Sequence, residues 1–454
     1  MLSLIFGLGN SRDPSSMIRK LALILCAGAA MAQSTHEPLM FEFGFEARVR
    51  TENWNNPLDY SDRLDDEREQ MRYRTRAWMK APLSSTVDFF VGLNHETTQR
   101  FGQKNQFDEV VFESAYIDFR RVFTDGLALR VGRQNLSKGE GFILFDGTAG
   151  DGSRTFYFNA VNLSYTRGRS SIDLLGILNP RSERFLPTLH DRSRHLSDWD
   201  ERALGAYYTH ASGFEGYYFY KRETNAFIPP SSGRFQPDRH VHTLGGRVVR
   251  KPRPAWTATG EFAGQWGSER PSSTIRAWGG YAHLRRSFDN RPWKPYLLGG
   301  YWAMSGDDPS TPDRVEGWDP LFSRWPKWSE LYIYSLSREL GSSYWSNLAM
   351  WQAEAGASPL KWLDLRLNYF RMNAFYPFPG DSRVFGEGTR RGDKLFARAD
   401  FTINRNWRGH ALFESMLPGN FYRGQNTGVF VRFEIIYTIT GSVAADDLKL
   451  ALKR

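Results

Sequence analysis

Residues 41–50 read Phe-Glu-Phe-Gly-Phe-Glu-Ala-Arg-Val-Arg, and this stretch decides the class of fold. Its apolar and polar side chains alternate with a period of two, and successive side chains of a β-strand point to opposite faces of a sheet. One face of such a strand is therefore apolar and the other is largely charged. The same alternation returns along the chain, most clearly in residues 127–132, 161–166, 256–265, 363–370, 395–403 and 429–439.

Many alternating segments run for about ten residues, which is the length that a tilted strand needs to cross a bilayer. An open sheet edge in hydrocarbon would leave backbone amides unpaired, so such strands must close. The pattern therefore predicts an all-β fold, a transmembrane antiparallel up-and-down β-barrel of about 18 strands.

Short connections alternate with long polar ones, as in outer-membrane barrels, whose short turns face the periplasm. The predicted short turns include residues 81–84, 124–126, 167–169, 211–213 and 358–359. The predicted outer loops include residues 53–70, 179–202, 224–239, 306–327 and 377–392.

The composition fits a barrel better than a helical membrane protein. The 454 residues are 41% hydrophobic and 15% aromatic, and the mean hydropathy is -0.52. A membrane helix needs about 20 consecutive apolar residues, and the longest candidate run, residues 21–32, is too short. The aromatic content exceeds what a soluble domain of this polarity usually carries, and girdles at the two membrane interfaces would use it. The alternative left open by composition is a large soluble β protein.

The N-terminus has the pattern of a cleaved export signal. Arg19-Lys20 forms a basic region, residues 21–30 form an apolar region, and Ala30-Met31-Ala32 is a cleavage site. Residues 1–32 are therefore predicted to be a signal peptide. Met17 is the better start for such a signal, because the residues before it add nothing that a signal needs.

Removal of the signal leaves a predicted barrel over residues 33–440 and a C-terminal tail over residues 441–454. It also removes Cys26, the single cysteine, which fits an oxidising compartment without a disulfide framework. The formal charge of +9 falls to about +7, because the signal carries three basic residues and one acidic residue. An exported protein meets little nucleic acid, so the excess predicts a basic lumen that favours anions.

Three arginines spaced by two point to a charged lumen. Arg72, Arg74 and Arg76 share one strand face. A charge that faces lipid near the midplane costs about 2–4 kcal/mol, so all three are expected to face inward. The same argument places other charged strand residues in the lumen: Arg48, Arg130, Arg366, Arg398, Arg432, Glu46, Asp118, Asp364, Asp400, Glu414 and Glu434.

Two roles are open for these side chains. A ladder of guanidinium groups would bind the carboxylates of a passing solute at successive weak sites. Alternatively, the arginines pair with neighbouring acids and brace the barrel wall. Arg133 and Gln134 lie where a strand enters the loop Gly139-Glu140-Gly141. If that loop folds into the lumen, they would lie at a constriction; otherwise they stabilise their own turn.

No cofactor and no catalytic residues are predicted. Asp307 and Asp308, together with Asp313, could bind calcium in an outer loop, although acidic outer loops are usually only solvated. His240 and His242 share a strand face, but two imidazoles without a third ligand are a weak metal signal. No serine is flanked by the sharp glycine elbow of a hydrolase.

Two blocks of sequence resemble the alginate-export porin family. The first comprises residues 115–120 and 125–134, with a strand that ends in Val131-Gly132-Arg133-Gln134 before a Gly-rich loop. The second comprises residues 409–414, 418–422 and 430–434. The resemblance spans roughly residues 40–440. It implies an 18-stranded monomeric barrel in the bacterial outer membrane, with an arginine-rich constriction, and a family role in exporting the polyuronate alginate.

The predicted function is therefore an outer-membrane channel that passes anionic or polar solutes, with an acidic polysaccharide such as alginate as one candidate. The expected partners are outer-membrane lipid, the solute or oligosaccharide, and a periplasmic export protein, but no nucleic acid. A closed barrel has no edge that needs a partner, so a monomer is expected. The alternatives are an outer-membrane enzyme of the lipase or protease type and a closed barrel that acts as an adhesin or scaffold.

Overall fold

The computed structural model describes residues 39–102, 106–107, 110–145, 158–189, 199–224, 238–269, 273–323, 327–339, 345–444 and 447. The predicted signal peptide and nearly all of the chain after Ala444 lie outside these residues. Within the described ranges, no helix has both the length and the hydropathy needed to cross a membrane.

The described residues form twenty strands and one short helix. In chain order they are β1 (Met40–Asn55), β2 (Arg68–Ser84), β3 (Val87–Arg100), β4 (Gln106–Phe107), β5 (Val111–Phe119), β6 (Leu127–Gln134), β7 (Phe158–Arg167), β8 (Ser170–Asn179), β9 (Asp200–His210), β10 (Phe214–Thr224), β11 (Arg239–Arg253), β12 (Trp256–Glu269), β13 (Ser273–Ser287), β14 (Tyr296–Met304), β15 (Arg314–Val315), α1 (Tyr332–Ser337), β16 (Leu348–Leu360), β17 (Leu363–Asn373), β18 (Arg390–Thr402), β19 (Trp407–Pro418) and β20 (Gly428–Ala444).

Eighteen of these strands form one closed antiparallel barrel. Strand β1 pairs with β20 along its whole length, from Met40 opposite Ala444 to Asn55 opposite Val429, and this pairing closes the sheet. The two-residue strands β4 and β15 lie beside the ladder, because β3 pairs directly with β5 and β14 pairs directly with β16. The predicted fold class and strand number are confirmed. The last strand continues to Ala444, four residues beyond the predicted end of the barrel.

Burial in this barrel is inverted relative to a soluble protein. On β1 the side chains of Phe45 and Val49 are 44% and 37% exposed, whereas Arg48 and Arg50, on the opposite face, are 2% and 1% exposed. The alternation of the sequence explains this directly, since every second residue faces lipid and the others face the lumen. The same inversion places Leu365 and Leu367 of β17 on the lipid side.

Tryptophans mark the two edges of the apolar band. Trp256 and Trp407 begin their strands at the end of the barrel with short turns, whereas Trp266 and Trp351 lie near the end with long loops. Trp256 and Trp266 are on one face of β12, about 33 Å apart along a strand that rises about 3.3 Å per residue. A tilt of about 40° reduces this to about 25 Å, the height of the apolar band in outer-membrane barrels.

The connections differ in length at the two ends. Residues 85–86, 168–169, 211–213, 254–255 and 361–362 are short turns, which face the periplasm in barrels of this type. At the other end, the long connections include residues 56–67, 135–157, 180–199, 225–238, 305–347 and 374–389.

Two predicted turns were misplaced by a few residues. Strand β2 continues through residues 81–84, and β16 continues through residues 358–359. In both places the pairing register shifts, around Pro82 and around Pro359. A proline cannot donate to the ladder and is tolerated at such a bulge, so it ends up inside the strand rather than in the turn.

The inverted burial leads to a stability prediction. Phe262 is 59% exposed on the lipid face of β12, about midway between the two tryptophan belts. The substitution Phe262→Arg should lower the free energy of unfolding in lipid vesicles by about 2–4 kcal/mol, because a guanidinium would replace an aromatic ring in hydrocarbon. Phe123→Arg, in the short connection before β6, should change it little. Equal losses for both variants would contradict the assigned lipid face.

Candidate functional site

One wall of the lumen carries a dense array of charges. Alternation places Arg48 and Arg50 of β1 inward, and the strand register sets Arg48 opposite Arg74 and Arg50 opposite Arg72. Cross-strand neighbours lie only about 5 Å apart, so four like charges in this block would repel one another strongly. The acids of the neighbouring strands must therefore offset them.

Those acids are in direct contact with the arginines. Glu434 of β20 is 2.6 Å from Arg50 and 3.5 Å from Arg48. Glu96 of β3 is 3.0 Å from Arg48 and 2.6 Å from Arg72. Further contacts of the array include Arg74–Glu46, Arg76–Glu113, Arg72–Glu52, Arg50–Glu52, Arg432–Glu52 and Arg432–Glu330. Six arginines thus contact six glutamates.

This pairing changes the interpretation of the predicted ladder. The predicted residues Arg48, Arg72, Arg74 and Arg76 do come together, but as an ion-pair array rather than as a row of available guanidinium groups. Arg48 and Arg50 are almost fully buried. A buried charge is tolerated only when it is paired and hydrogen-bonded, which is the bracing role that the sequence left open.

The predicted charges nearer the periplasmic end are also paired but more accessible. Arg130 is 2.7 Å from Asp118, with 37% of its side chain exposed. Asp400 forms ion pairs with both Arg398 at 2.8 Å and Arg366 at 3.1 Å, and the Arg366 side chain is 41% exposed. The Asp364 carboxylate accepts a hydrogen bond from the Ser358 hydroxyl.

Arg133 and Gln134 are anchoring residues in this structure. The Arg133 guanidinium is 2.7 Å from Glu183 and donates to the Asn159 amide oxygen at 3.0 Å. The Gln134 amide donates to the carbonyl of Ala160. Both side chains are buried, so they tie the end of β6 to β7 and to the next outer loop.

Two outer connections fold into the lumen and form a plug, defined here as residues 135–145 together with 305–323, 327–339 and 345–347. The two parts meet directly: the Phe322 amide donates to the Ile143 carbonyl at 3.0 Å. The Ser323 hydroxyl donates to the Gly141 carbonyl at 2.5 Å. Phe142 stacks on Trp318 with ring centroids 5.0 Å apart. The plug therefore has an apolar core of its own inside the barrel.

Buried ionic contacts fasten one side of the plug to the wall. Asp319 is 2.6 Å from Arg239 of β11, and both side chains are completely buried. Lys221 of β10 donates to the Leu321 carbonyl at 2.9 Å. Burial would raise the pKa of Asp319, but the nearby Lys221 and Arg239 cations outweigh burial and lower it below its ordinary value. Asp319 is therefore a carboxylate at neutral pH.

The opposite side of the plug is fastened to β18, β19 and β20. Glu414 accepts hydrogen bonds from the Ser329 hydroxyl at 2.6 Å and the Glu330 amide at 2.7 Å. Arg391 holds Glu339 at 2.6 Å. Helix α1 packs at the same place, where the Tyr332 hydroxyl lies 2.7 Å from that of Tyr422.

The sequence contained a signal for the plug that the periodicity argument did not use. Residues 142–145 read Phe-Ile-Leu-Phe and lie in an outer connection, where an apolar run has no reason to be solvated. All four are buried. The wall residues that hold the plug, such as Arg239 and Glu414, have no such signal, because their partners lie far away in the chain.

A cavity of about 360 Å³ lies between the plug and the wall formed by β12–β14 and β16–β18. This volume falls within the range of about 300–1,000 Å³ that is typical of small-molecule sites. The plug contributes Glu140, Lys327 and Trp328. The wall contributes Thr257, Thr259, His283, Arg285, Leu298, Trp302, Gln352, Glu354, Arg366, Asn368, Phe370 and Phe396.

Cations and anions are distributed unequally around this cavity. Arg285 stacks on the Tyr296 ring at 3.7 Å and Lys327 lies over the Phe145 ring at 4.4 Å. Neither has a carboxylate oxygen within 4 Å among the described residues. Burial lowers the pKa of Lys327 below its ordinary value, as expected for an ammonium group without a paired anion. The cavity also has two carboxylates: Glu140 is 3.2 Å from Arg247, and Glu354 accepts a hydrogen bond from the Tyr296 hydroxyl at 2.6 Å.

The acidic residues predicted as a weak calcium site do not converge. Asp307 accepts the Glu316 amide at 2.7 Å and Asp308 accepts the Ser310 amide at 2.8 Å. The Asp313 carbonyl accepts the Thr274 amide. Within the part of the chain that the structure describes, no three or more His, Cys, Asp or Glu side chains form a group that could hold a metal ion.

Comparisons with known proteins agree with this architecture. The model of a family described as alginate export matches residues 40–373. No curated protein sequence matches the chain.

Solved outer-membrane proteins share the fold. The structure of OccK2 (OpdF) from Pseudomonas aeruginosa in complex with glucuronate is 10% identical, covers 89% of this chain and 100% of its own, and superposes with a TM-score of 0.55. The outer membrane protein OpdK from the same organism is 9% identical, with coverages of 88% and 99% and a TM-score of 0.55, and it is also solved with vanillate. OccAB4 from Acinetobacter baumannii is 12% identical, with coverages of 90% and 100% and a TM-score of 0.55. At these identities the likeness shows the fold.

The ion-pair array leads to a prediction about stability. Arg50→Gln should lower the free energy of unfolding by about 3–5 kcal/mol, because it leaves Glu434 and Glu52 buried with less compensation. In the Arg50→Gln background, Glu434→Gln should lower the free energy of unfolding by less than it does in the wild type. Arg383→Gln is the matched control, since its ion pair with Asp381 is exposed to solvent and contributes little to stability. Strictly additive losses for Arg50 and Glu434 would argue against their direct contact.

The plug leads to a second prediction. Asp319→Asn should loosen the inward-folded loop, because it removes the negative charge of the Asp319 carboxylate, which Arg239 and Lys221 attract. We expect a larger single-channel conductance in planar bilayers and faster proteolysis within residues 305–347, with the barrel still folded. Asp308→Asn, in the exposed part of the same connection, is the control. If Asp319→Asn keeps both the wild-type conductance and the wild-type protection, the proposed anchoring is wrong.

Proposed function

The chain belongs to the alginate-export family of outer-membrane β-barrels, and from that premise we propose that it is a channel for small anionic or polar solutes whose selectivity is set at the cavity beneath the plug. The proposal rests chiefly on one observation, that Arg285 and Lys327 face this cavity without a carboxylate partner among the described residues. A cation in that state attracts an anion from solution, because no carboxylate at contact distance offsets its charge.

The other side chains of the cavity favour an acidic sugar or a small aromatic acid. Trp302 and Trp328 line the cavity with aromatic rings, and Gln352 and Asn368 line it with amides. Gln352 links the two groups, because it accepts from the Trp302 indole and donates to Asn368. Such a mixture of ring faces and convergent polar groups is typical of small-molecule sites. The glucuronate and vanillate complexes of proteins with this fold carry a carboxylate on a six-membered ring, which is the same chemistry.

The more exposed ion pairs would continue the path towards the periplasm. Arg366 lines the cavity and shares Asp400 with Arg398. Arg130 is likewise only half covered by Asp118. A partly exposed arginine can bind a solute carboxylate while it keeps its own acid, so such sites bind weakly and release quickly. A solute with several carboxylates, such as an oligouronate, could then move from one site to the next.

The arginines of the ion-pair array have a different role in this proposal. Arg48, Arg72 and Arg74 support the wall, since their guanidinium groups already contact Glu96 and Glu46. We also keep the monomer as part of the proposal, because the closed sheet has no free edge. A periplasmic export protein would be needed only if the solute travels outwards.

The selectivity of the channel tests the proposal. In planar bilayers with a KCl gradient, the wild type should prefer anions, and glucuronate should block the chloride current. The double variant Arg285→Gln/Lys327→Gln should weaken glucuronate block by about tenfold, equivalent to about 1.4 kcal/mol, because it removes the two unpaired cations.

Arg286→Gln provides a matched control. Arg286 follows Arg285 in the chain but lies on the lipid side of β13, where it packs over Trp256 and Phe288. This variant should keep wild-type selectivity and block. A cation-selective wild type would refute the proposal, and so would equal effects of the Arg285 and Arg286 substitutions.

A further inference from the structure

A cluster of basic side chains lies on the lipid side of the barrel, near the extracellular rim. Arg202 of β9 is directly opposite Arg222 of β10, and Arg222 is opposite His240 of β11. Arg276 of β13 lies opposite Trp266, at a level two residues nearer the periplasm than His240. In each strand the inward-facing neighbours, such as Lys221 and Arg239, are buried, so the alternation places this cluster outside.

The arginines of the cluster are available to a ligand. Arg202 and Arg276 are exposed, and neither has a carboxylate oxygen within 4 Å among the described residues. Arg222 is 2.7 Å from Asp238, but this acid is itself 65% exposed and 44% of the Arg222 side chain remains accessible. Among the described residues, the cluster therefore carries more positive than negative charge.

Aromatic contacts hold the base of the cluster in a fixed arrangement. His242 stacks on Trp266, with ring centroids 5.4 Å apart and planes 6° apart. The Tyr218 hydroxyl is 2.7 Å from Nδ1 of His242, and Tyr220 lies 4.9 Å from the same imidazole ring. This row of rings belongs to the upper tryptophan belt, which marks the level of the lipid headgroups. The arginines lie at this level and just above it.

The position of the charge argues for a specific lipid contact. Arginines at the edge of a bilayer extend their heads to the interface, where they meet headgroup phosphates in a two-pronged geometry. At the same rim, the described outward side chains of β1 make amide–carboxylate contacts instead: Asn53 donates to Glu69, and Asn55 donates to Glu67. Farther round the rim, Arg371 of β17 and Arg390 of β18 are also exposed, and Arg390 is paired with Asp393.

We propose that Arg202, Arg222 and Arg276 form a binding site for the phosphate groups of the glycolipid in the outer leaflet, lipopolysaccharide. The outward aromatic rings below them would contact the sugar and the first methylenes of its acyl chains. This surface faces lipid rather than the lumen, so the site is independent of the proposed channel function and could orient the barrel in an asymmetric membrane.

The experiment measures how much lipopolysaccharide stays bound to the purified full-length protein. The wild type, the triple variant Arg202→Gln/Arg222→Gln/Arg276→Gln and the single variant Arg286→Gln are purified in mild detergent, and bound lipopolysaccharide is quantified per barrel by native mass spectrometry. Arg286 is the matched control, because it lies on the same strand and the same face as Arg276 but at the periplasmic end. Heat-modifiable mobility in gels confirms that each variant is folded.

We expect the triple variant to retain at least tenfold less lipopolysaccharide than the wild type, and Arg286→Gln to retain the wild-type amount. Arg276→Gln alone should retain a few-fold less lipopolysaccharide than the wild type. This single variant still tests the proposal if the triple variant does not fold. Added diphosphorylated lipid A should rebind to the lipid-stripped wild type, whereas dephosphorylated lipid A should not. The proposal is overturned if the folded arginine variants retain lipopolysaccharide like the wild type, if Arg286→Gln loses as much, or if inorganic phosphate displaces the lipid at equal concentration.

Discussion

Closure of the sheet is the constraint on which everything else in this molecule depends. Backbone amides in hydrocarbon have no water to bind, so each strand of the membrane band needs a neighbour on both sides. The pairing of β1 with β20, from Met40 opposite Ala444 onwards, meets that need for the first and last strands. Once the sheet is closed, the two faces of each strand have different solvents. Phe45 must then face lipid, and Arg48 must face an enclosed lumen.

Enclosure in turn decides what the lumen charges can do. Where the plug and the wall exclude water, a guanidinium must have a carboxylate partner, and Arg50 has two in Glu434 and Glu52. Where the lumen is wider, Arg285 can remain without such a partner among the described residues. The same residue type therefore supports the wall in one place and is available to a solute in another. Burial, and not residue identity, separates the two roles.

The fold could be predicted from the sequence because the alternation of apolar and polar residues is a local signal. A period of two over residues 41–50 specifies a strand and its two faces without reference to any other part of the chain. The ion pairs could not be predicted in this way, since Arg48 and Glu96 belong to strands that are not adjacent. The cavity was missed for a related reason: Lys327 reaches it only because its loop turns inward, and the contacts that turn the loop, such as Asp319 with Arg239, span 80 residues.

The plug is held to the wall by ion pairs, and this matters for how a solute could pass. The wall cations Arg239, Arg391 and Arg432 hold the plug through Asp319, Glu339 and Glu330. A uronate presents the same carboxylate, so an anionic solute that enters the outer half would compete for the groups that fasten the loop. Apolar packing alone offers no such exchange, because a polar solute cannot replace Phe142 against Trp318. In the proposed channel, a plug held by ion pairs would therefore yield to anions and still resist neutral solutes, so that one set of contacts would serve both gating and selectivity.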